Sequence, residues 1–270
     1  MVPLAGVRKS YRGVGEVLAG IDLDLEPGAP VVVLGANGSG KSTLLRIVAG
    51  CSGPSAGTVE GRPAVVGYLP AQFPASGRMP MRNYLRHLAG VHGRRGVDPT
   101  PLLDELEFTG VMSAPVAQLS TGNAQKVGLV QALSCVPDLV VLDEPWIALD
   151  VRAAAALDRL VLAAADRGAA VLVADHTGRM AGLPGVAATR IENGTLVSVA
   201  PPAPSVATAM IELRCPGKPA DTLRQLPPVV ASWSEDGVLT VRVAADRGDA
   251  VLVAALAAGC SVLAVWQEER

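Results

Sequence analysis

Nine residues, Gly35-Ala36-Asn37-Gly38-Ser39-Gly40-Lys41-Ser42-Thr43, constrain this chain more than any other stretch. A short apolar run, Val31-Val32-Val33-Leu34, leads into them, and a helix-forming segment, residues 44–49, follows. Strand, glycine loop and helix in that order are the context a phosphate-binding loop requires. The glycines let the backbone wrap tightly enough for its N–H groups to converge on one anion. The helix that follows adds free N–H donors and the positive end of its dipole at the same point. Lys41 is placed to reach terminal phosphates, and the Ser42 hydroxyl to ligate Mg²⁺. The surrounding fold must therefore be α/β, with the loop at the carboxyl end of a parallel strand.

A phosphate loop needs a metal partner and a base. Leu139-Val140-Val141-Leu142 is a continuous apolar run of the kind found in a strand buried on both faces, and it ends in Asp143-Glu144. Asp143 is placed to hold Mg²⁺, and Glu144 to polarise a water toward the terminal phosphate. Two adjacent carboxylates are tolerable there because the cation and Lys41 offset their repulsion. A second buried run, residues 169–174, ends at Asp175-His176. A neutral imidazole at that strand end can hydrogen-bond a phosphate oxygen.

Leu119-Ser120-Thr121-Gly122-Asn123 stands just before a third helical stretch, residues 120–134. Ser120 there is either a plain N-cap or part of a second anion site. Two anion sites in one chain, only one of them with a lysine, fit two copies placed head to tail around nucleotide. Tyr11, near the end of an early strand region, either packs or stacks on an adenine ring.

At 270 residues the chain accommodates one large domain with a small one appended. Residues 1–200 hold the motifs, with an inserted helical region over about 74–134. Asn193-Gly194 turns a hairpin. Ala200-Pro201-Pro202-Ala203-Pro204-Ser205 opens a linker, residues 201–208. Residues 209–270 then alternate as βαββαβ, the split βαβ pattern of a ferredoxin-like domain. That pattern expects helices over 220–225 and 249–258. The uncharged stretch 250–266 is short for a spanning helix, which needs about 20 residues. Broken by Gly259-Cys260-Ser261, it reads as a buried helix followed by a buried strand. A formal net charge of -2 without a sustained basic run argues against nucleic acid as a partner. Cys51, Cys135, Cys215 and Cys260 are scattered, and read as ordinary thiols of a reducing cytoplasm.

Taken together, these motifs resemble those of the ATP-binding subunit of an ABC transporter, over about residues 1–200. Tyr11 is similar to the family's adenine-stacking aromatic, residues 35–43 to its Walker A loop, and 139–144 to Walker B with its glutamate. Residues 119–123 resemble the LSGGQ signature, continued by Gln125-Lys126. Ala148-Leu149-Asp150 resembles the D-loop, and His176 the H-loop histidine. The signature separates this family from other P-loop ATPases.

Three places depart from the pattern. Thr121 and Asn123 replace a glycine and a glutamine of the signature, while Ser120 and Gly122 are kept. Ile147 stands where a small or hydroxyl residue is usual. Tyr68-Leu69-Pro70 is followed by Ala71, so the family's glutamine falls one place late, at Gln72. Either Gln72 reaches Mg²⁺ and nucleotide, or the position is degenerate.

The resemblance implies the P-loop ABC ATPase fold and hydrolysis of ATP with Mg²⁺, with Glu144, His176 and Lys41 catalytic. ATP would meet Tyr11, Gly35, Ala36, Asn37, Gly38, Ser39, Gly40, Lys41, Ser42, Thr43 and Gln72. Ser120 and Gly122 would meet the opposite subunit's ATP, and Ser42, Asp143 and Gln72 the Mg²⁺. It also implies a homodimer or heterodimer that closes on ATP and works on a separate transmembrane permease, from the cytoplasmic face of the membrane. The 209–270 domain is similar to those appended to ATPases of ABC-2-type drug exporters, which favours export. A soluble ABC-type ATPase of translation or DNA repair is the competing class. Such proteins carry two cassettes or a long coiled coil, and this chain has one Walker A and no heptads. A binding-only cassette is disfavoured by intact Lys41, Asp143, Glu144 and His176.

Overall fold

The computed structural model describes residues 1–73, 77–91, 98–199, 208–215, 223, 229–235, 238–244 and 248–268. The chain forms two compact units, Met1–Pro202 and Ala203–Arg270.

The first unit is built on a six-stranded sheet. Strands β3 (Val31–Leu34), β5 (Val66–Leu69), β6 (Leu139–Asp143), β7 (Ala170–Ala174), β8 (Ala187–Glu192) and β9 (Thr195–Val199) stand in the order β5-β6-β7-β3-β8-β9. All neighbours are parallel except β8 and β9, the hairpin turned on Asn193 and Gly194, both at positive φ. The central strands are continuous apolar runs because both faces are covered. Val32, Val140, Leu142, Val171 and Val173 point into one core. Their alternates Val31, Val33, Leu139, Val141 and Leu172 point into the other.

One face carries α1 (Lys41–Val48) and a three-stranded antiparallel sheet of β2 (Gly15–Leu25), β1 (Val2–Tyr11) and β4 (Ala56–Val59), in that order. The other face carries α4 (Thr121–Leu133) and α5 (Val151–Asp166), with α2 (Met81–Val91) and α3 (Thr100–Glu105) between β5 and α4. The sequence expects helices over 80–90, 101–108 and 120–134 in the inserted region, and α2, α3 and α4 lie at those places. Part of that region, 74–76 and 92–97, lies outside the described residues.

In the second unit β10 (Thr208–Arg214), β11 (Val229–Glu235), β12 (Val238–Ala244) and β13 (Ser261–Glu268) form an antiparallel sheet in the order β11-β12-β10-β13, with α6 (Gly248–Ala257) packed on its apolar face. First and fourth strands are neighbours, as the interleaved βαββαβ chain path requires. The linker residues 201–207 lie outside the described residues, as does the helix expected over 220–225 apart from Leu223. Residues 250–266 divide into α6 and β13, and no helix among the described residues is long and apolar enough to cross a membrane.

The cysteine expectation needs correction. Cys215 and Cys260 form a disulfide, with Cα atoms 4.2 Å apart. The pairing of Arg214 with Ser261 across β10 and β13 brings the two cysteines side by side, although 45 positions separate them in sequence. Cys51 and Cys135 are free thiols.

Candidate nucleotide site

Every parallel strand ends toward one edge of the sheet, and the phosphate loop, Asp143, Glu144 and His176 gather there. The phosphate loop leaves β3 at Gly35 with φ 150° and passes Gly38 at φ 81°. It enters α1 through Gly40 at φ 107°, which caps the helix without any side-chain hydrogen bond. A Cβ on Gly35 would fall 2.7 Å from the Ser39 hydroxyl, and one on Gly40 3.0 Å from Leu18. Glycine is therefore demanded at both places by conformation and by space. The first N–H groups of α1 are left to meet an anion.

Lys41 is buried, and its Nζ donates to Gly35 O at 2.6 Å and to Ala36 O at 3.3 Å. The same ammonium lies 3.5 Å from Glu144 Oε1. Glu144 follows β6 directly, at φ 50°, a left-handed conformation unusual for a residue with a long side chain. Its other oxygen, Oε2, lies 2.5 Å from His176 Nδ1 and accepts the His176 backbone N–H at 3.3 Å. The carboxylate is thus held between the loop lysine and the histidine that follows β7.

Asp143, the last residue of β6, is fully buried, and neither of its carboxylate oxygens has a hydrogen-bond partner of good geometry. Burial pushes its carboxyl above the usual range. The nearby Ser42 hydroxyl and the charges of Arg46 and Lys41 pull it back, while the charge of Glu144 raises it further. The two buried Asp143 oxygens, with the Ser42 hydroxyl beside them, form an oxygen-only donor set that fits a hard divalent cation such as Mg²⁺.

Lys41, Ser42 and Glu144 border a cavity of about 810 Å³. Its walls include Tyr11, Val14 and Val17 from the β1–β2 hairpin, Ala36 to Gly38 and Gly40 to Thr43 from the loop and α1, and Ala71, Gln72 and Phe73 after β5. Thr121, Ala124 and Gln125 of α4, together with Glu144 and Ile147, complete the lining. Tyr11 is 38% exposed, and Lys9 Nζ stands 5.3 Å from its ring centroid. Gln72 does reach the cavity despite its one-place offset.

Ser120 and Gly122 do not line that cavity. Ser120 caps α4, accepting the Asn123 N–H at 3.3 Å. Gly122 lies under the segment after β6: a Cβ there would come 2.8 Å from Ala148 O. Ala148 has φ 61°, and Asp150 caps α5 by accepting the Ala153 N–H at 2.9 Å. His176, half exposed, borders a second cavity with Leu34, Gly35, Asn37, Thr177 and Arg190.

Sequence reasoning named two further residues only as a continuation of the signature, without their contacts. Gln125 is buried and donates to Pro145 O at 3.1 Å. Lys126, also buried, donates to Glu107 O at 2.9 Å and Asp150 Oδ2 at 3.0 Å. Both tie α4 to the segment after β6. Their place just after the 119–123 stretch was the available signal; their partners, about 20 residues away, were not visible.

Residues 18–147 match the family described as ABC transporter. The zinc import ATP-binding protein ZnuC of Pseudomonas aeruginosa is 38% identical over 178 residues, 65% of this chain and 65% of that protein. ZnuC of Paramagnetospirillum magneticum is 38% identical over 181 residues, 65% of this chain and 68% of that protein. The match to the Pseudomonas aeruginosa relative thus spans just under two thirds of its length. Among solved structures, the ATP-binding subunit of an ABC transporter superposes with TM-score 0.67 at 24% identity, over 74% of this chain and 90% of that one. A dimeric ATP-binding cassette in a post-hydrolysis state, bound to ADP and Pi, gives 0.66 at 22% identity, over 74% and 99%.

Proposed function

The chain belongs to the ABC transporter family, and from that premise we propose that it binds and hydrolyses ATP to power a transporter whose membrane permease is a separate polypeptide. The observation that carries this reading is the Glu144 carboxylate, held between Lys41 and His176 at the edge of the cavity bordered by the phosphate loop.

ATP would place its phosphates on the N–H groups of residues 36–43 and its base against Tyr11. Lys41, now bonded to the carbonyls of its own loop, would exchange them for phosphate oxygens. Asp143 and Ser42, with Gln72 from the cavity lining, would hold Mg²⁺, which neutralises phosphate charge when bound. Glu144 would take a proton from the attacking water, and His176 would turn from Glu144 to a phosphate oxygen. Ser120 and Gly122, outside this chain's own cavity, would serve the nucleotide of a second ATPase subunit across a closed dimer, with a like or unlike partner. The protein would then work at the cytoplasmic face of the membrane.

The names of the relatives favour import over the export expected from sequence. The second unit, which supports export only through a resemblance of chain path, would have an accessory role. Reconstitution with the permease in vesicles decides direction: ATP supplied on the subunit's side should drain cargo from the opposite side. The ATPase reading is tested by Glu144→Gln. That variant should retain ATP, form an ATP-bound dimer and lose turnover; hydrolysis at the wild-type rate removes Glu144 as the base.

A further inference from the structure

We infer that Asp158 is a positioning residue for ATP hydrolysis, fixing Glu144 and His176 relative to one another from outside the cavity. The inference rests on the ATPase reading above and adds a group that touches neither nucleotide nor water.

Asp158 sits on α5, with its side chain 16% exposed. Its Oδ1 accepts the Trp146 Nε1–H at 2.9 Å. Arg179 donates through Nε to both oxygens, at 3.0 and 3.1 Å, and through Nη2 to Oδ2 at 2.6 Å. The Asp158 contact also raises the Arg179 pKa, so the guanidinium stays charged. Trp146 stands two residues after Glu144, and Arg179 three residues after His176. The turn between His176 and Arg179 is itself fixed. Thr177 donates its N–H and hydroxyl to Asp175 Oδ1, each at 2.7 Å, and Met180 N–H donates to Asp175 Oδ2 at 3.0 Å. The Glu144–His176 contact closes a ring that runs through Trp146, Asp158 and Arg179.

The ring matters because of what else holds Glu144. Its two oxygens are met by Lys41 and His176, the groups that ATP would draw to its phosphates. Once they turn away, Glu144 is held by its own N–H, which donates to Ala174 O at 3.0 Å, and by the segment that follows it. Asp158 is then a side chain that ties that segment to the one bearing His176, through Trp146 and Arg179. A bidentate, charge-assisted pair is stiff enough for this work, and a misplacement of about 1 Å at a base costs on the order of a hundredfold in rate.

The test is steady-state ATP hydrolysis by the full chain, with MgATP as substrate. Asp158→Asn keeps an acceptor for Trp146 but turns an N–H₂ toward Arg179. It should lower kcat about tenfold and leave KM for ATP within about twofold, the pattern of a lost transition-state placement. Asp158→Glu should recover part of kcat, and adding Trp146→Phe to Asp158→Asn should cost little more, since both act through one carboxylate. A kcat within twofold of wild type for Asp158→Asn, or a raised KM at unchanged kcat, overturns the inference. Should Asp158→Asn fail to fold, Trp146→Phe carries the test: kcat down about threefold supports it, and unchanged kcat defeats it. Controls separate the two levels. No turnover by wild type, or wild-type turnover by Glu144→Gln, defeats the ATPase reading and this inference with it. Controls that behave while Asp158→Asn keeps its kcat overturn the inference alone.

Discussion

Asp143 is where the site departs most from what stability alone would select. A fully buried carboxylate that only weak contacts satisfy favours its neutral form, and burial raises its pKa more than the Ser42 hydroxyl lowers it. A raised pKa means that the group's contribution to stability is fully present below the unfolded-state value and is lost as pH rises through the folded-state value. Replacing it with Asn removes a charge that the nucleotide-free protein bears poorly at neutral pH. Without nucleotide or Mg²⁺, Asp143→Asn should therefore melt higher than wild type, by on the order of 2–4 °C per kcal/mol relieved. The gap should widen from acidic to neutral pH. The same variant should lose the rise in melting temperature that MgATP gives wild type. A variant that melts lower than wild type at neutral pH would show that Asp143 is satisfied without a cation. From sequence, the position of Asp143 at a strand end was plain, whereas how weakly it is satisfied depends on the buried atoms around it.

At the scale of elements, strands β3, β6 and β7 were legible because each is covered on both faces and so reads as an unbroken apolar run. The glycine loop was legible because its φ angles exclude other residues. Helix α4 was legible as a helix, but its buried face was not. Gln125 and Lys126 are polar yet buried, each engaged by residues distant in sequence, so polarity there does not mark an exposed face. Packing against α4 also explains Gly67 in β5, which sequence pattern does not single out. A Cβ at Gly67 would fall 1.9 Å from Ala132 O and 2.9 Å from Pro137. Both are parts of the backbone or of a rigid ring, so the strand itself must shift. Gly67→Ala should cost about 1–3 kcal/mol, the range of overpacked cores, measured as a lowered denaturant midpoint. Because β5 leads directly to Ala71, Gln72 and Phe73 on the cavity wall, nucleotide affinity should fall as well. Full stability in that variant would mean that β5 and α4 stand farther apart than described.

Across the whole molecule, the two units hold themselves together by different means. The first has cores on both faces of a six-stranded sheet. The second has one smaller core, closed by the Cys215–Cys260 bridge. Cysteine spacing could not reveal that bridge, because the partners meet only once β10 and β13 have paired. Cross-linking positions 45 residues apart restricts the unfolded chain, an effect of about 4 kcal/mol in the loop-entropy account. A small domain has little stability to lose. Scanning calorimetry should therefore resolve two transitions, and a reductant, or Cys260→Ser, should lower the one from the second unit by many degrees. The transition from the first unit should stay in place, since neither Cys51 nor Cys135 is bonded there. Reduction that moves both transitions equally would mean that the units unfold as one. Reduction that moves neither would mean that the bridge adds nothing, and that the second unit is as stable in a reducing cytoplasm as in an oxidising buffer.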